Sequence, residues 1–207
     1  MPEHRGNRPP PSGTPNGPPH NVTEPHNSVA ANTRTPDCVI AVGIQTGFIA
    51  PPTQHIPAAV ESFLARARVE HRFFTRFINP GPGGPFAKLL GWHKLQNPKE
   101  TALAPEVEAL ATSVVEKNGY SPFSGTGLAA ELERIGANTV LVCGIDTDVC
   151  VLSTAAGLFE LGLHPVVVAD LCASTGGTAA HTAALTILPR YTGAHNIITT
   201  TDLQTHN

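Results

Sequence analysis

Two side chains in this sequence have the type and the setting for covalent chemistry. Cys150 lies in "CGIDTDVCV", which joins an apolar run at 139–144 to a helical pattern at 147–161. That puts its thiol in the first turn of a helix, where unpaired N–H groups and the positive end of the dipole stabilise an anion. A thiolate in such a place has a depressed pKa and becomes a nucleophile. The alternative is a small buried cysteine that packs a helix start, and position alone does not separate the two. Lys117 lies in "VVEKNGYSPF", just past a strand pattern at 113–116. An ammonium there holds a thiolate and stabilises charge in a transition state. Taken alone, Lys117 reads first as a solvated loop lysine. Together, a cysteine at a helix start and a lysine at a neighbouring strand end carry more information than either.

The elements that must position these groups alternate along the chain. Strand patterns fall at 38–42, 72–77, 113–116, 139–144, 165–169 and 196–199, with helix patterns at 57–70, 127–135, 147–161 and 177–188 between them. Strand–helix alternation with short links predicts a parallel sheet covered on both faces. Ligands in such sheets bind at the carboxyl ends of the strands. Candidate site residues are therefore those just after each strand, at 43–48, 78–84, 117–123, 145–150 and 170–174.

These segments carry a resemblance. Lys117 followed by Tyr120-Ser121-Pro122-Phe123, then Gly144, Thr147, Asp148, Cys150 and Val151, is similar to the isochorismatase-like cysteine hydrolases, which include the nicotinamidases. The likeness runs from about Cys38 to Leu203. It implies a three-layer α/β/α sandwich, Rossmann-like, with a six-stranded, mostly parallel sheet. It implies Cys150 as nucleophile on a carbonyl, Lys117 as the catalytic lysine, and a cis peptide between Ile145 and Asp146. The amides of Asp146 and Cys150 would form the oxyanion hole. Phe48, Tyr120 and Phe123 match common pocket positions. With Gln45, Arg76 and Trp92 they make the expected substrate pocket, and Asn79 is a further candidate to orient a polar group.

The sequence also departs from the family. The third catalytic residue of the resemblance is an aspartate in Asp-x-Gln after the first strand, and this chain has Gly43-Ile44-Gln45. Glycine neither takes a thiol proton nor returns one to a leaving amine, a role that typically contributes about 10²–10⁴-fold. Asp146, Asp148 and Asp170 lie at the same sheet edge as possible substitutes, whereas Asp37 lies at the opposite edge. Nicotinamidases carry a metal held by an aspartate and histidines in the early loops. Here "FINPGPGGPFAKLLGWHKLQNP" holds His93 alone, with His55 remote, so no metal or other cofactor is expected. Two functions stay open: a cysteine hydrolase of a small amide or related C–N bond, and a catalytically impaired relative that binds a small ligand or a protein partner.

Composition bounds the rest. The chain has 207 residues, 41% hydrophobic, enough for one sizeable α/β domain over 37–207. Net charge is −3 with no basic block, which disfavours a nucleic-acid or membrane-surface partner, and no apolar run is long enough to span a bilayer. The four cysteines show no zinc-type pairing and read as free thiols, which suggests a reducing, cytoplasmic setting. Residues 1–36 hold nine of the chain's 20 prolines and no aromatic residue, so they read as a disordered Pro-rich tail. A homo-oligomer is expected from family habit and from apolar loop residues such as Leu89, Leu90 and Trp92.

Overall fold

The computed structural model describes residues 36–204. The Pro-rich tail lies outside the described residues apart from Pro36. Six strands form one parallel sheet: β1 (Cys38–Val42), β2 (His71–Phe77), β3 (Ser113–Lys117), β4 (Thr139–Ile145), β5 (His164–Ala173) and β6 (Ile197–Ile198). Their order is β3-β2-β1-β4-β5-β6, and every pair is parallel. The helices in chain order are α1 (Ile56–Leu64), α2 (Pro85–Leu90), α3 (Pro98–Thr101), α4 (Pro105–Glu108), α5 (Leu128–Arg134), α6 (Leu152–Glu160), α7 (Thr178–Ile187), α8 (Pro189–Thr192) and α9 (Thr200–Gln204). The architecture is the three-layer α/β/α sandwich expected from the sequence. Among the described residues no helix is long and apolar enough to cross a membrane.

Burial follows position in the sheet. All five residues of β1, the central CVIAV, are buried, as a strand covered on both faces requires. β3 is an edge strand, and only its last residue, Lys117, is buried. The helices turn apolar faces at helical spacing onto the core: Ile56, Val60, Phe63 and Leu64 in α1, and Leu128 and Leu132 in α5. Asp37 ties the amino ends of β1 and β4 together, its carboxylate accepting from the backbone N–H groups of Asn138 and Thr139 at 2.9 and 2.8 Å.

Several expected boundaries move. β5 runs to Ala173, so Asp170 lies within the strand rather than after it. Its carboxylate accepts from Thr200 N and Thr200 Oγ1, fixing the start of α9. Lys117 closes β3 instead of following it. The segment at 147–161 is two pieces: a π-helical turn at Thr147–Val151, then α6.

The sheet order changes direction between β1 and β4, so loops leave on either side of that junction and open a crevice. Here the two backbones come unusually close. Val42 pairs with Gly144, whose φ is 120°. A Cβ on Gly144 would lie 2.0 Å from the carbonyl oxygen of Val42 and 2.7 Å from its nitrogen. Gly144→Ala therefore lowers unfolding stability by about 3 kcal/mol or more. Gly83→Ala, where a Cβ meets nothing within 4 Å, stays within about 0.5 kcal/mol of the parent. Urea denaturation of the two variants checks the pair, and equal midpoints would refute the close approach.

Candidate active site

The crevice gathers a thiol, an ammonium and a backbone N–H. Cys150 sits in the π-helical turn after β4 and is 7% exposed. Burial pushes its thiol above the ordinary value. The charge of Lys117 and a hydrogen bond from its ammonium pull the other way, as does the backbone N–H of Asp146, while the Asp146 carboxylate adds to the rise. The expectation of a depressed thiol pKa is thus corrected. A helix start and a cation favour the thiolate, but the loss of water around a nearly enclosed sulfur outweighs them. The peptide between Ile145 and Asp146 is cis.

Lys117 is 1% exposed, so it is not a solvated loop lysine. Its ammonium donates to the carbonyl oxygens of Gly119 at 3.1 Å and Tyr120 at 2.6 Å. It also stands 5.9 Å over the ring of Phe77, its direct neighbour across β2 and β3. A buried ammonium survives only when its protons find acceptors, and these two carbonyls with the thiol provide them.

Gly43 follows β1 with φ 59°, and its N–H donates to Thr75 Oγ1 at 3.0 Å. A Cβ here would lie 2.5 Å from the carbonyl oxygen of Ile145 and 3.7 Å from Cε2 of Phe48. The position holds no acid, and with this backbone it has no space for one.

Aromatic rings form one wall. Phe48 stacks on Trp92 with 6.2 Å between centroids and 10° between planes. Trp92 also meets Phe77 and Phe86 at 5.9 and 5.8 Å. Phe86 meets Tyr120 edge-on at 5.1 Å. Partial burial, and then the Cys150 charge, push the Tyr120 phenol above its ordinary pKa, so the ring belongs to the surroundings of the thiol.

Four expected pocket residues do other work. Gln45 is fully buried. Its Nε2 donates to Phe77 O and Thr101 O, both at 2.9 Å, and its Oε1 accepts from Phe77 N at 2.7 Å, so its amide braces loops to the end of β2. Arg76 alternates with Phe77 along β2 and so points to the other sheet face, where it pairs with Glu116 at 3.4 Å. Phe123 packs on α6, its ring 2.5 Å from where a Cβ of Gly157 would be. Asn79 donates to Trp92 O and Lys94 O and accepts from Gly81 N, which shapes the loop that carries Trp92.

Over residues 37–202 the chain matches the model of the isochorismatase domain. The chain belongs to the isochorismatase family. A streptothricin hydrolase from Streptomyces noursei is 30% identical over 62% of this chain and 46% of its own length. A nicotinamidase from Acinetobacter baylyi is 30% identical over 42% of this chain and 48% of its own. The chain thus spans about half the length of these relatives. An isochorismatase-like hydrolase from Alkaliphilus metalliredigens has the same fold, with a TM-score of 0.72 at 19% identity over 81% of this chain and 97% of its own.

The acids of this isochorismatase-family site differ in how far they are bound. Both carboxylate oxygens of Asp146 accept from Thr175, at 2.6 Å from its N–H and 2.8 Å from its hydroxyl. Asp148 has one buried oxygen without a hydrogen-bond partner. Its charge reaches His181, whose ring Nδ1 lies 2.8 Å from Thr147 Oγ1. Burial lowers the His181 pKa, Asp148 opposes that, and His55 adds to it. His181, Thr75, Phe77 and Phe86 had no signal in the sequence, because each joins the site across 30 or more residues of chain or through a strand interior. Among the described residues no group of three or more His, Cys, Asp or Glu could hold a metal ion; His93 is exposed.

Two outcomes follow from this geometry. Iodoacetamide labelling of Cys150 has its pH midpoint above the ordinary thiol value of about 8.5, and Lys117→Met moves it higher still, because the favourable cation is gone. A midpoint below the ordinary value, or no change in the variant, would overturn the balance described. Gly43→Asp loses about 2 kcal/mol or more of stability from the contact with Ile145 O and the left-handed backbone. Gly43→Asn loses a similar amount. A fully stable aspartate variant, by thermal denaturation, would show that the backbone yields.

Proposed function

We propose that this isochorismatase-family protein is a cysteine-dependent hydrolase acting on a small amide or related C–N bond. The observation that supports it most directly is the convergence on Cys150 of a buried ammonium and a backbone N–H. The names of its relatives, a streptothricin hydrolase and a nicotinamidase, are consistent with it. Cys150 as thiolate attacks the carbonyl carbon and pushes its π electrons onto oxygen. The N–H groups of Asp146 and Cys150 hold the oxyanion, and the Lys117 charge stabilises the thiolate before attack. Collapse expels the nitrogen as the amine, which takes up a proton as the C–N bond breaks, and leaves a thioester on Cys150. Water then attacks that thioester, releasing an acid and regenerating the thiol. The rings of Phe48, Trp92 and Tyr120 suit a flat, largely apolar acyl part.

The second reading is a binder of small molecules that has lost turnover. Gly43 favours it, since the position holds no proton carrier. The two readings differ in one measurement. When a library of small amides and acyl derivatives is incubated with the protein, at least one member leaves an acyl mass on Cys150 and turns over, and Cys150→Ala loses both. Ligand binding without any adduct or turnover would leave the binder.

A further inference from the structure

We propose that His181 is a positioning residue for Cys150: as a neutral imidazole with its proton on Nε2, it accepts the hydroxyl proton of Thr147 on Nδ1 and so holds the turn that carries the thiol. This deepens the hydrolase reading and rests on Cys150 being its nucleophile.

The direction of the bond follows from a count of protons at Thr147. Thr147 is fully buried, and the ring Nδ1 of His181, 2.8 Å away, is the only hydrogen-bond partner of its Oγ1 among the described residues. A hydroxyl has one proton to give. If Nδ1 carried a proton and donated it, the hydroxyl proton would be enclosed without an acceptor, and a buried donor without a partner is costly. If Nδ1 is bare, the hydroxyl donates to it and nothing is orphaned. The ring proton then sits on Nε2. His181 is only half-buried, so water can accept from it. The tautomer is thus assigned by the hydrogen-bond network.

Thr147 is the residue that opens the π-helical turn, three residues before Cys150. Its carbonyl accepts from the N–H of Leu152, which closes the turn around the cysteine. Asp146, just before it, supplies the backbone N–H that bonds the sulfur. Asp146 is itself held through its carboxylate by Thr175. Both residues at the head of the turn are therefore anchored from one stretch, the loop after β5 and the first turn of α7.

The His181 anchor reverses when the ring gains a proton. An imidazolium carries N–H on both nitrogens, so Nδ1 changes from acceptor to donor and the Thr147 hydroxyl loses its partner. Burial disfavours the imidazolium, the Asp148 carboxylate favours it, and His55 disfavours it. Burial is the largest of the three, so the hold is complete at neutral pH and is lost only as pH falls below the ordinary histidine value of about 6.5.

The test uses the full chain and two readouts: hydrogen exchange of peptides covering 146–152, and the pH midpoint of iodoacetamide labelling at Cys150. His181→Asn keeps an acceptor near the place of Nδ1 and does not titrate. His181→Gln puts its amide near the place of Nε2 instead, and His181→Ala has none. Near neutral pH the turn should exchange within about twofold of the parent in the Asn variant and about 3–10-fold faster in the Gln and Ala variants. The Cys150 midpoint should rise in the Gln and Ala variants alone, by about 0.5 unit or more, because the Asp146 N–H that favours the thiolate is loosened. His181 is neutral at these pH values, so loss of its charge cannot cause that rise. Between about pH 7.5 and about pH 5 the parent turn should lose protection, corrected for intrinsic exchange, while the Asn variant keeps it. Gln and Ala variants that match the parent, an Asn variant no better than Ala, or a parent turn indifferent to acid would each overturn the inference. Faster exchange with an unmoved Cys150 midpoint would also overturn it, since His181 would then only support the fold. Where the Gln or Ala variant does not fold, the acid series on the parent and the Asn variant decides. Neither readout needs turnover, so failure of the hydrolase reading alone shows in the amide library with these responses intact.

Discussion

The site depends on how closely the carboxyl ends of β1 and β4 approach each other. Val42 and Gly144 are paired in register, and β1 then leaves the sheet with Gly43 lying against the carbonyl of Ile145, the last residue of β4. Neither glycine can gain a Cβ without meeting the other strand's backbone. Asp146, whose backbone N–H bonds Cys150, follows Ile145 directly, and the π-helical turn starts from there. The bare backbone at Gly43 and the start of the turn that carries Cys150 meet at this one backbone contact. A change at Gly43 is therefore not a local exchange of side chains. It pushes on the turn that carries the thiol.

The second constraint is the buried charge of Lys117. An ammonium almost without solvent exposure must be satisfied by fixed acceptors. Two of them are carbonyls only two and three residues further along, so the loop after β3 has to fold back over the lysine. That return puts Tyr120 against Phe86 and within the field of the thiol. The wall of the crevice and the electrostatics of the Cys150 thiol thus share a cause. The electrostatic gain remains smaller than the cost of enclosing the sulfur, which is why the thiol sits above rather than below its ordinary pKa.

What was legible in the sequence was whatever repeats with the period of an element. The apolar runs gave all six strands, and the spacing of Leu128 and Leu132 or of Ala59, Phe63 and Ala67 marked helices. The positions of Cys150, Lys117 and Gly43 relative to those elements followed. What was not legible was side-chain direction at strand ends and contacts across the chain. Arg76 and Phe77 are adjacent in sequence, yet one faces Glu116 and the other floors the site, and only the register of β2 against β3 decides which. Gln45 looked free at a loop start, but its amide is consumed by Phe77 and Thr101, 32 and 56 residues away. The short proline-started helices α2, α3, α4 and α8 escaped because four to six residues show no period.

The strand order adds a last consequence. Lys117 ends β3 and Cys150 follows β4, so two strands, β2 and β1, stand between them, a lateral separation of about 14 Å at roughly 4.8 Å per strand. The lysine chain and the inward turn of Thr147–Val151 must close that gap across the ends of β2 and β1. Phe77 floors the path at β2, within 5.9 Å of the ammonium, and Gly43 ends β1 without a side chain. A carboxylate at 43 would stand close to this path and compete for the ammonium's third proton. In its absence that proton is directed to sulfur alone. The charge of the lysine is then answered by two neutral carbonyls and by the sulfur, so the loop after β3 and the turn after β4 meet on one ammonium.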